Sequence, residues 1–382
     1  MTGHVRTEGE GRVPAPHAVL AAGGTGGHMF PAEALAEVLL ARGWRVSLLT
    51  DSRGVRYAGG FPEAVPRIVV ASGTWAGRAP LQRLLAPFRL VAGVAAAQMR
   101  FRRARPDIVV GFGGYPAFPA MAAATLRRIP RVIHEQNGVL GRVNRLFARR
   151  VDALALGMWP TVLPEGVTGV HVGNPVRAAI RARAGAPYMP PEAGPISLLV
   201  TGGSQGARVL SDVVPAALAA LPGALRARLR VAQQVRPEDR VRVEAAYRAA
   251  GIHAEIAPFF DDMARRLAEA QLVIARAGAS TVSEINVVGR PAIYVPLAIA
   301  THDHQTANAR GPAEAEAAVV IPEPDFTSGR LRQEIADILG DPPRAAAMAA
   351  AALALGRPDA AEELADLVTE VAARRAAPAT TA

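Results

Sequence analysis

Two glycine-rich runs, Gly23-Gly24-Thr25-Gly26-Gly27-His28 and Gly202-Gly203-Ser204-Gln205-Gly206, each stand between an apolar segment and a helical one. A glycine turn in that position lets the backbone approach a phosphate and aims free N–H groups at it, with the helix dipole assisting. The same turn can also serve packing alone. The first run is not a dinucleotide fingerprint, because Met29 stands where a third small residue is required. His28 falls at or near a helix start, where the dipole disfavours the imidazolium and a neutral imidazole suits a general base. The plainer alternative is a histidine that only makes a hydrogen bond. Ser204 adds a hydroxyl donor to the second turn.

Three further clusters carry polar groups suited to a sugar nucleotide. Arg276-Ala277-Gly278-Ala279-Ser280-Thr281-Val282-Ser283-Glu284 begins with small residues that permit backbone contact with phosphate. It places Glu284 a turn and a half along a helix, where a carboxylate can accept both hydroxyls of a ribose. Helix capping by Ser280 or Thr281 is compatible with the same arrangement. His302-Asp303-His304-Gln305-Thr306-Ala307-Asn308 concentrates amide and imidazole groups of the kind that bind sugar hydroxyls. The i, i+2 histidines lack a nearby third ligand, and no Asp-x-Asp pair occurs, so no bound metal is expected. Arginine must then help to offset a diphosphate, and Arg177, presented by the Asn174-Pro175 turn, is the candidate. His134-Glu135-Gln136-Asn137-Gly138 follows an apolar strand at 131–133, an end that faces the ligand crevice in open α/β sheets; a solvated loop is the other reading.

Apolar runs alternate with longer helical stretches, the pattern of a parallel sheet with crossover helices. Strands are expected at 17–22, 45–50, 107–110 and 131–133, and helix at about 31–42. The grammar restarts with strands at 196–201 and 272–275, a helix over 207–221 and a final helix over about 359–375. With 382 residues, two domains are expected, joined near 184–195.

The chain has no cysteine, which excludes disulfides, thiolate catalysis and cysteine-bound zinc. All 43 Lys+Arg positions are arginine, so neither a P-loop lysine nor a Schiff-base lysine exists. The net charge of +10 favours anionic partners, but the arginines are scattered, which argues against nucleic acid. Residues 1–15 read as a loose tail without an apolar core, and 84–99 is short for a membrane span. Trp75, Leu81, Leu84, Leu85 and Phe88, bracketed by Arg78, Arg83 and Arg89, fit either an anionic membrane surface or an ordinary buried helix face.

These motifs, with Gly113-Gly114-Tyr115-Pro116 and Gly173-Asn174-Pro175-Val176-Arg177, occur in one order along residues 17–355. As an ordered set they closely resemble the bacterial undecaprenyldiphospho-muramoylpentapeptide β-N-acetylglucosaminyltransferases of peptidoglycan synthesis. The resemblance implies an α/β GT-B fold, two Rossmann-like doubly wound domains facing a cleft. The implied division is a tail (1–15), an acceptor- and membrane-facing domain (16–176), a UDP-sugar domain (177–355), a helix crossing back (356–376) and a second tail (377–382). It implies inverting transfer of N-acetylglucosamine from UDP-N-acetylglucosamine to the muramic acid 4-hydroxyl of lipid I, giving lipid II. The work is done peripherally on the cytoplasmic face of the cell membrane. By motif, Arg177, Ser204, Phe260, Ala279 and Glu284, within the 279–284 run, hold UDP. Asn137 and Gln305, near His304 and Asn308, hold the sugar. Thr25, Gly26 and Gly27, with His28, face the acceptor. Gln233-Gln234-Val235-Arg236 departs from the family's usual turn, and Phe260 stands where a smaller aliphatic residue is usual.

The implied reaction is a single displacement in which His28, or alternatively Glu135, removes the acceptor proton while amides, Ser204 and Arg177 ease departure of UDP. The competing expectations are another GT-B enzyme with a small acceptor and a non-catalytic sugar-nucleotide-binding protein.

Overall fold

The computed structural model describes residues 15–24, 26–52, 54–70, 80–203, 206–297 and 303–376, with side chains at 56–57, 80–86 and 375–376 left aside. Thr25, Trp75, Arg78, Ser204 and His302 therefore lie outside the described residues, as do the side chains of Leu81, Arg83, Leu84 and Leu85.

Both sheets are wholly parallel. The first contains β1 (His17–Ala21), β2 (Arg45–Thr50), β3 (Arg67–Val69), β4 (Ile108–Gly111), β5 (Arg131–Glu135), β6 (Ala153–Leu156) and β7 (Val170–His171), in the order β3-β2-β1-β4-β5-β6-β7. The second contains β8 (Ile196–Thr201), β9 (Leu229–Gln234), β10 (His253–Ala257), β11 (Leu272–Ala275), β12 (Ala292–Tyr294) and β13 (Ala318–Val320), in the order β10-β9-β8-β11-β12-β13. The central strands are buried, β4 along its whole length and β1 after His17, because helices cover both faces of each sheet. This is the doubly wound α/β architecture repeated twice.

Strand order reverses between β1 and β4 in the first sheet and between β8 and β11 in the second. Neighbouring chains leave such a point in opposite directions, so a crevice opens beyond the carboxyl ends of the strands. Glycines occupy these places: Gly23 and Gly24 after β1, Gly113 and Gly114 after β4, Gly202 and Gly203 after β8 and Gly278 after β11. Topology therefore brings four small-residue turns to two crevices.

The first core places Leu20, Leu35, Leu39, Leu48 and Ile108 against Leu364, Ala365, Val368 and Val371 of the last helix, Ala360–Ala376. That helix is thus an integral layer of the first sheet's packing, although the second sheet lies between them in sequence. Its approach is marked by ion pairs from Arg181 to Asp359 (2.8 Å) and Glu362, and from Arg42 to Asp366 (2.7 Å). These pairs are exposed, so each contributes about 1 kcal/mol or less. The apolar face carries the attachment.

Candidate functional site

His28 lies in the first turn of the helix Gly26–Ala41 and is half-buried. Its Nδ1 is 3.0 Å from Gln136 Oε1. The Gly113-Gly114 turn lies against the opposite edge of the ring. A Cβ built on Gly113 would come 3.4 Å from Cε1 of His28, and one on Gly114 would come 3.4 Å from Cδ2. Both residues have positive φ (89° and 71°), so the bare backbone here meets a conformational demand as well as a spatial one. The helix Gly114–Leu126 starts at this turn, so two helix N-termini converge beside the imidazole.

Glu135 ends β5 and is 1% exposed. Its Oε1 accepts from the Asn137 backbone N–H (3.0 Å) and Nδ2 (3.1 Å); its Oε2 accepts from Gly141 N–H (2.9 Å) and Asn144 Nδ2 (2.8 Å). Four donors saturate the carboxylate. A buried, saturated carboxylate has no lone pair directed to an incoming hydroxyl, so the geometry speaks against Glu135 as the base. Its work is to shape the 135–144 loop. Asn144 is an anchor that sequence reasoning passed over, since nothing in its local pattern marks a partner nine residues away.

Asn137 reaches the second half through Asn308. Asn308 is 1% exposed; its Oδ1 accepts from Gly138 N–H (2.8 Å), and its Nδ2 donates to Asn137 Oδ1 (3.2 Å) and Ala277 O (3.0 Å). Contact is close enough that a Cβ on Gly138 would lie 2.7 Å from Ala307 O. The loop after β5 therefore joins His28 on one side, through Gln136, to the helix His304–Glu314 on the other.

On that other side, Ala279 opens the helix Ala279–Val288, with Gly278 as its N-cap. Ser280 and Thr281 are half-buried in its first turn. Val282 is fully buried in the core, and its N–H bonds Gly278 O (2.9 Å). Ser283, one residue on, is nearly buried as well. Glu284 is paired bidentately by Arg177, Nε to Oε1 at 2.9 Å and an Nη to Oε2 at 3.0 Å. The two residues assigned to opposite ends of a nucleotide thus meet each other. Gln305 gives its carbonyl to Leu297 N–H (3.0 Å), and its amide nitrogen has no partner among the described residues. His304 begins the same helix.

Phe260 is buried with the Arg266 guanidinium 4.1 Å over its ring. The divergent Gln233–Arg236 segment braces the β8 turn: Gln234 accepts from Thr201 Oγ1 (2.8 Å) and donates to Pro258 O (3.0 Å), and Arg236 donates to Gly206 O (3.2 Å). Gln233 accepts from the buried Tyr247 hydroxyl, whose pKa burial raises. The substitution supports the turn from behind. Among the described residues there is no group of three or more His, Asp or Glu able to hold a metal ion.

The glycosyltransferase family 28 N-terminal domain matches residues 18–156, and the family 28 C-terminal domain matches residues 197–364. The chain is 52% identical over 363 residues to the UDP-N-acetylglucosamine--N-acetylmuramyl-(pentapeptide) pyrophosphoryl-undecaprenol N-acetylglucosamine transferase of Phenylobacterium zucineum, covering 94% of this chain and 99% of that one. It is 49% identical over 358 residues to the transferase of the same name from Caulobacter vibrioides, covering 93% and 99%. Among solved structures, Acinetobacter baumannii MurG superposes with a TM-score of 0.77 at 32% identity over 93% of this chain and 99% of that one. The calicheamicin glycosyltransferase CalG4, at 17% identity, TM-score 0.65 and coverage of 96% and 100%, shares the fold. By its sequence, its two family domains and its repeated doubly wound architecture, the chain belongs to the glycosyltransferase family 28 enzymes that transfer N-acetylglucosamine to N-acetylmuramyl-(pentapeptide) pyrophosphoryl-undecaprenol.

Proposed function

We infer that the chain transfers N-acetylglucosamine from UDP-N-acetylglucosamine to lipid I, giving lipid II for peptidoglycan synthesis, with a cleft between residues 16–176 and 177–355 as the place of reaction. The observation that carries the reading of the site is one continuous polar path. It runs from His28 through Gln136 to the neighbouring Asn137, then through Asn308 to Ala277, beside the Ala279 helix start. Groups suited to an acceptor and groups suited to a nucleotide sugar are thereby held in a fixed relation.

His28 is the base in this reading, and Glu135 is not. The acceptor 4-hydroxyl gives its proton to His28 as its oxygen bonds the anomeric carbon from the face opposite UDP. The anomeric C–O bond breaks with its electron pair leaving on UDP. The Gly202 and Gly278 amides, Ser204 and Arg177 offset the charge on the departing diphosphate, and Glu284 takes the ribose hydroxyls. Asn137, Gln305 and His304 surround the sugar. Gly26 and Gly27, with Thr25, receive the acceptor diphosphate at the helix start.

The face presented to the membrane lies on the helix Pro80–Arg103, where Phe88 (71% exposed), Val91 (69%) and Met99 (58%) share one side, next to exposed Arg89. A few exposed apolar side chains with adjacent arginine suit reversible attachment to anionic lipid. No helix among the described residues is long and apolar enough to cross a membrane.

The decisive assay incubates the protein with UDP-N-acetylglucosamine and a lipid I analogue and follows UDP release and product linkage. UDP release that requires both substrates, with a β-linked disaccharide as product, is expected. Release indifferent to the muramyl acceptor, or equal rates with a small sugar acceptor, contradicts the assignment.

A further inference from the structure

The hydrogen bonds around His28 extend inward, and their chemistry permits only one proton arrangement while the buried imidazole stays neutral. His134, fully buried at the end of β5, has Nε2 3.0 Å from Gly173 O. A carbonyl only accepts, so His134 carries its proton on Nε2 and its Nδ1 bears the lone pair. Gln136 Nε2 is 3.1 Å from that Nδ1 and 3.1 Å from the His134 carbonyl oxygen. Two acceptors therefore claim the same amide nitrogen, which settles the orientation of the Gln136 side chain. Its Oε1 must then point to His28 Nδ1, which can only donate to it. The lone pair of His28 is left on Nε2, at the edge of the ring that borders the side-chain-free Gly113-Gly114 turn.

We propose that Gln136 and His134 are positioning residues that hold His28 as its Nδ1–H tautomer and so place the accepting lone pair on Nε2. This deepens the reading of His28 as the base and rests on it. Neither residue touches substrate; both act through the imidazole. Once Nε2 has taken the acceptor proton, Nδ1–H still donates to the Gln136 carbonyl, whose dipole then faces a cation. His134 suits the far end of such a chain because burial lowers its pKa to about 4, so it stays neutral and its Nδ1 remains an acceptor. The tilted Phe112 ring, 5.6 Å from it, closes the apolar surroundings. Glu135, the adjacent carboxylate, is committed to Asn137, Gly141 and Asn144 and makes no hydrogen bond to either imidazole.

The relay also has a defined anchor. Gly173 has φ of 82° and lies against Arg357 and Ala360, where the chain re-enters the first core. Its carbonyl is fixed by that packing, and it belongs to the same five-residue segment that ends in Arg177.

Two measurements test the proposal. The first needs no variant: 15N spectra of the histidine-labelled full chain at pH 8.5, with the His28 signals assigned by their loss in His28→Gln. The expected result is protonation at Nδ1; an Nε2–H tautomer overturns the proposal. The second is kinetic. Gln136→Met keeps the side-chain length but removes all three side-chain hydrogen bonds. We expect kcat to fall on the order of 10²-fold, as for a misplaced catalytic group, with KM for UDP-N-acetylglucosamine within about twofold. In a His28→Ala background the same substitution should change the rate by less than about twofold, since it acts through the missing ring. If His28→Ala is severe and Gln136→Met retains activity within about threefold, the relay fails and the base stands. If His28→Ala itself loses less than about tenfold, the base reading fails first.

Discussion

Replacing Arg177 by alanine separates two roles that one guanidinium holds together. Arg177 uses Nε–H and one Nη–H on the two oxygens of Glu284, at 2.9 and 3.0 Å. A carboxylate has about four lone-pair sites, so this pairing leaves one on each oxygen for the ribose hydroxyls. A guanidinium has about five N–H donors, so about three remain for a diphosphate. If Arg177 grips the diphosphate, its loss removes one or two hydrogen bonds to a charged group, each contributing about 1.5–3 kcal/mol. The Arg177 side chain is 42% exposed, which argues for the low end, about 2 kcal/mol or roughly 30-fold in Kd. If Arg177 only steadies Glu284, whose side chain is 12% exposed, about 1 kcal/mol or roughly fivefold is lost, irrespective of phosphate. Calorimetric titration or tracer displacement with UDP and with uridine distinguishes the two. In Arg177→Ala, UDP binding should weaken roughly 30-fold and uridine binding by no more than about fivefold. Glu284→Gln should weaken both alike. Equal factors for UDP and uridine in Arg177→Ala would refute contact with the diphosphate.

Other expectations concern the loop, the buried histidine and the exposed helix. Asn308→Ala leaves Gly138 N–H and Ala277 O without their buried partner, so stability should fall by about 2–4 kcal/mol, read as a lower urea midpoint; an unchanged midpoint contradicts the bridging role. The pKa of His134 is lowered to about 4 by burial, against 6.5 in the unfolded chain. Between those values the unfolded state binds the extra proton, so stability falls as pH drops through the window, by about 3 kcal/mol in all. His134→Asn should flatten that part of the urea-midpoint curve, and parallel curves for variant and parent would contradict it. Phe88→Asp with Val91→Asp should lower co-sedimentation with anionic vesicles by at least about tenfold, each exposed apolar side chain contributing about 1.5 kcal/mol or more when buried. Undiminished binding would move the docking face elsewhere.

Much of the framework was legible because parallel strands buried on both faces read as apolar runs, and each glycine turn marks where such a strand ends. The expected strand at 45–50 is Arg45–Thr50, and the helices expected at 207–221 and 359–375 are Arg208–Ala219 and Ala360–Ala376. The helix expected from about 31 begins at Gly26, because two glycines and Pro31 hide a helix start from propensity reasoning. Pro31 is tolerated in the opening turns, where few N–H groups have intrahelical partners. His28 was marked by its place beside a glycine turn, but its partner lies 108 residues away and could not be read from spacing. The same holds for Asn308 with Gly138, 170 residues apart, and for Arg177 with Glu284, 107 apart. The surroundings of Glu135 and Val282 were not legible, because sequence names the residue type at a strand or helix end but not its orientation. Glu135 turns into a cage of donors, and Val282 turns into the core.

In this reading of the site, an imidazole on the first half serves a nucleotide sugar held by the second. Single-turnover transfer by His28→Ala, from UDP-N-acetylglucosamine to a lipid I analogue, tests it most directly when UDP affinity is measured alongside. The expected rate is lower by on the order of 10²–10⁴, with the Kd for UDP unchanged within about threefold. A rate within about tenfold of the parent, or a UDP affinity that falls in step with the rate, would contradict it.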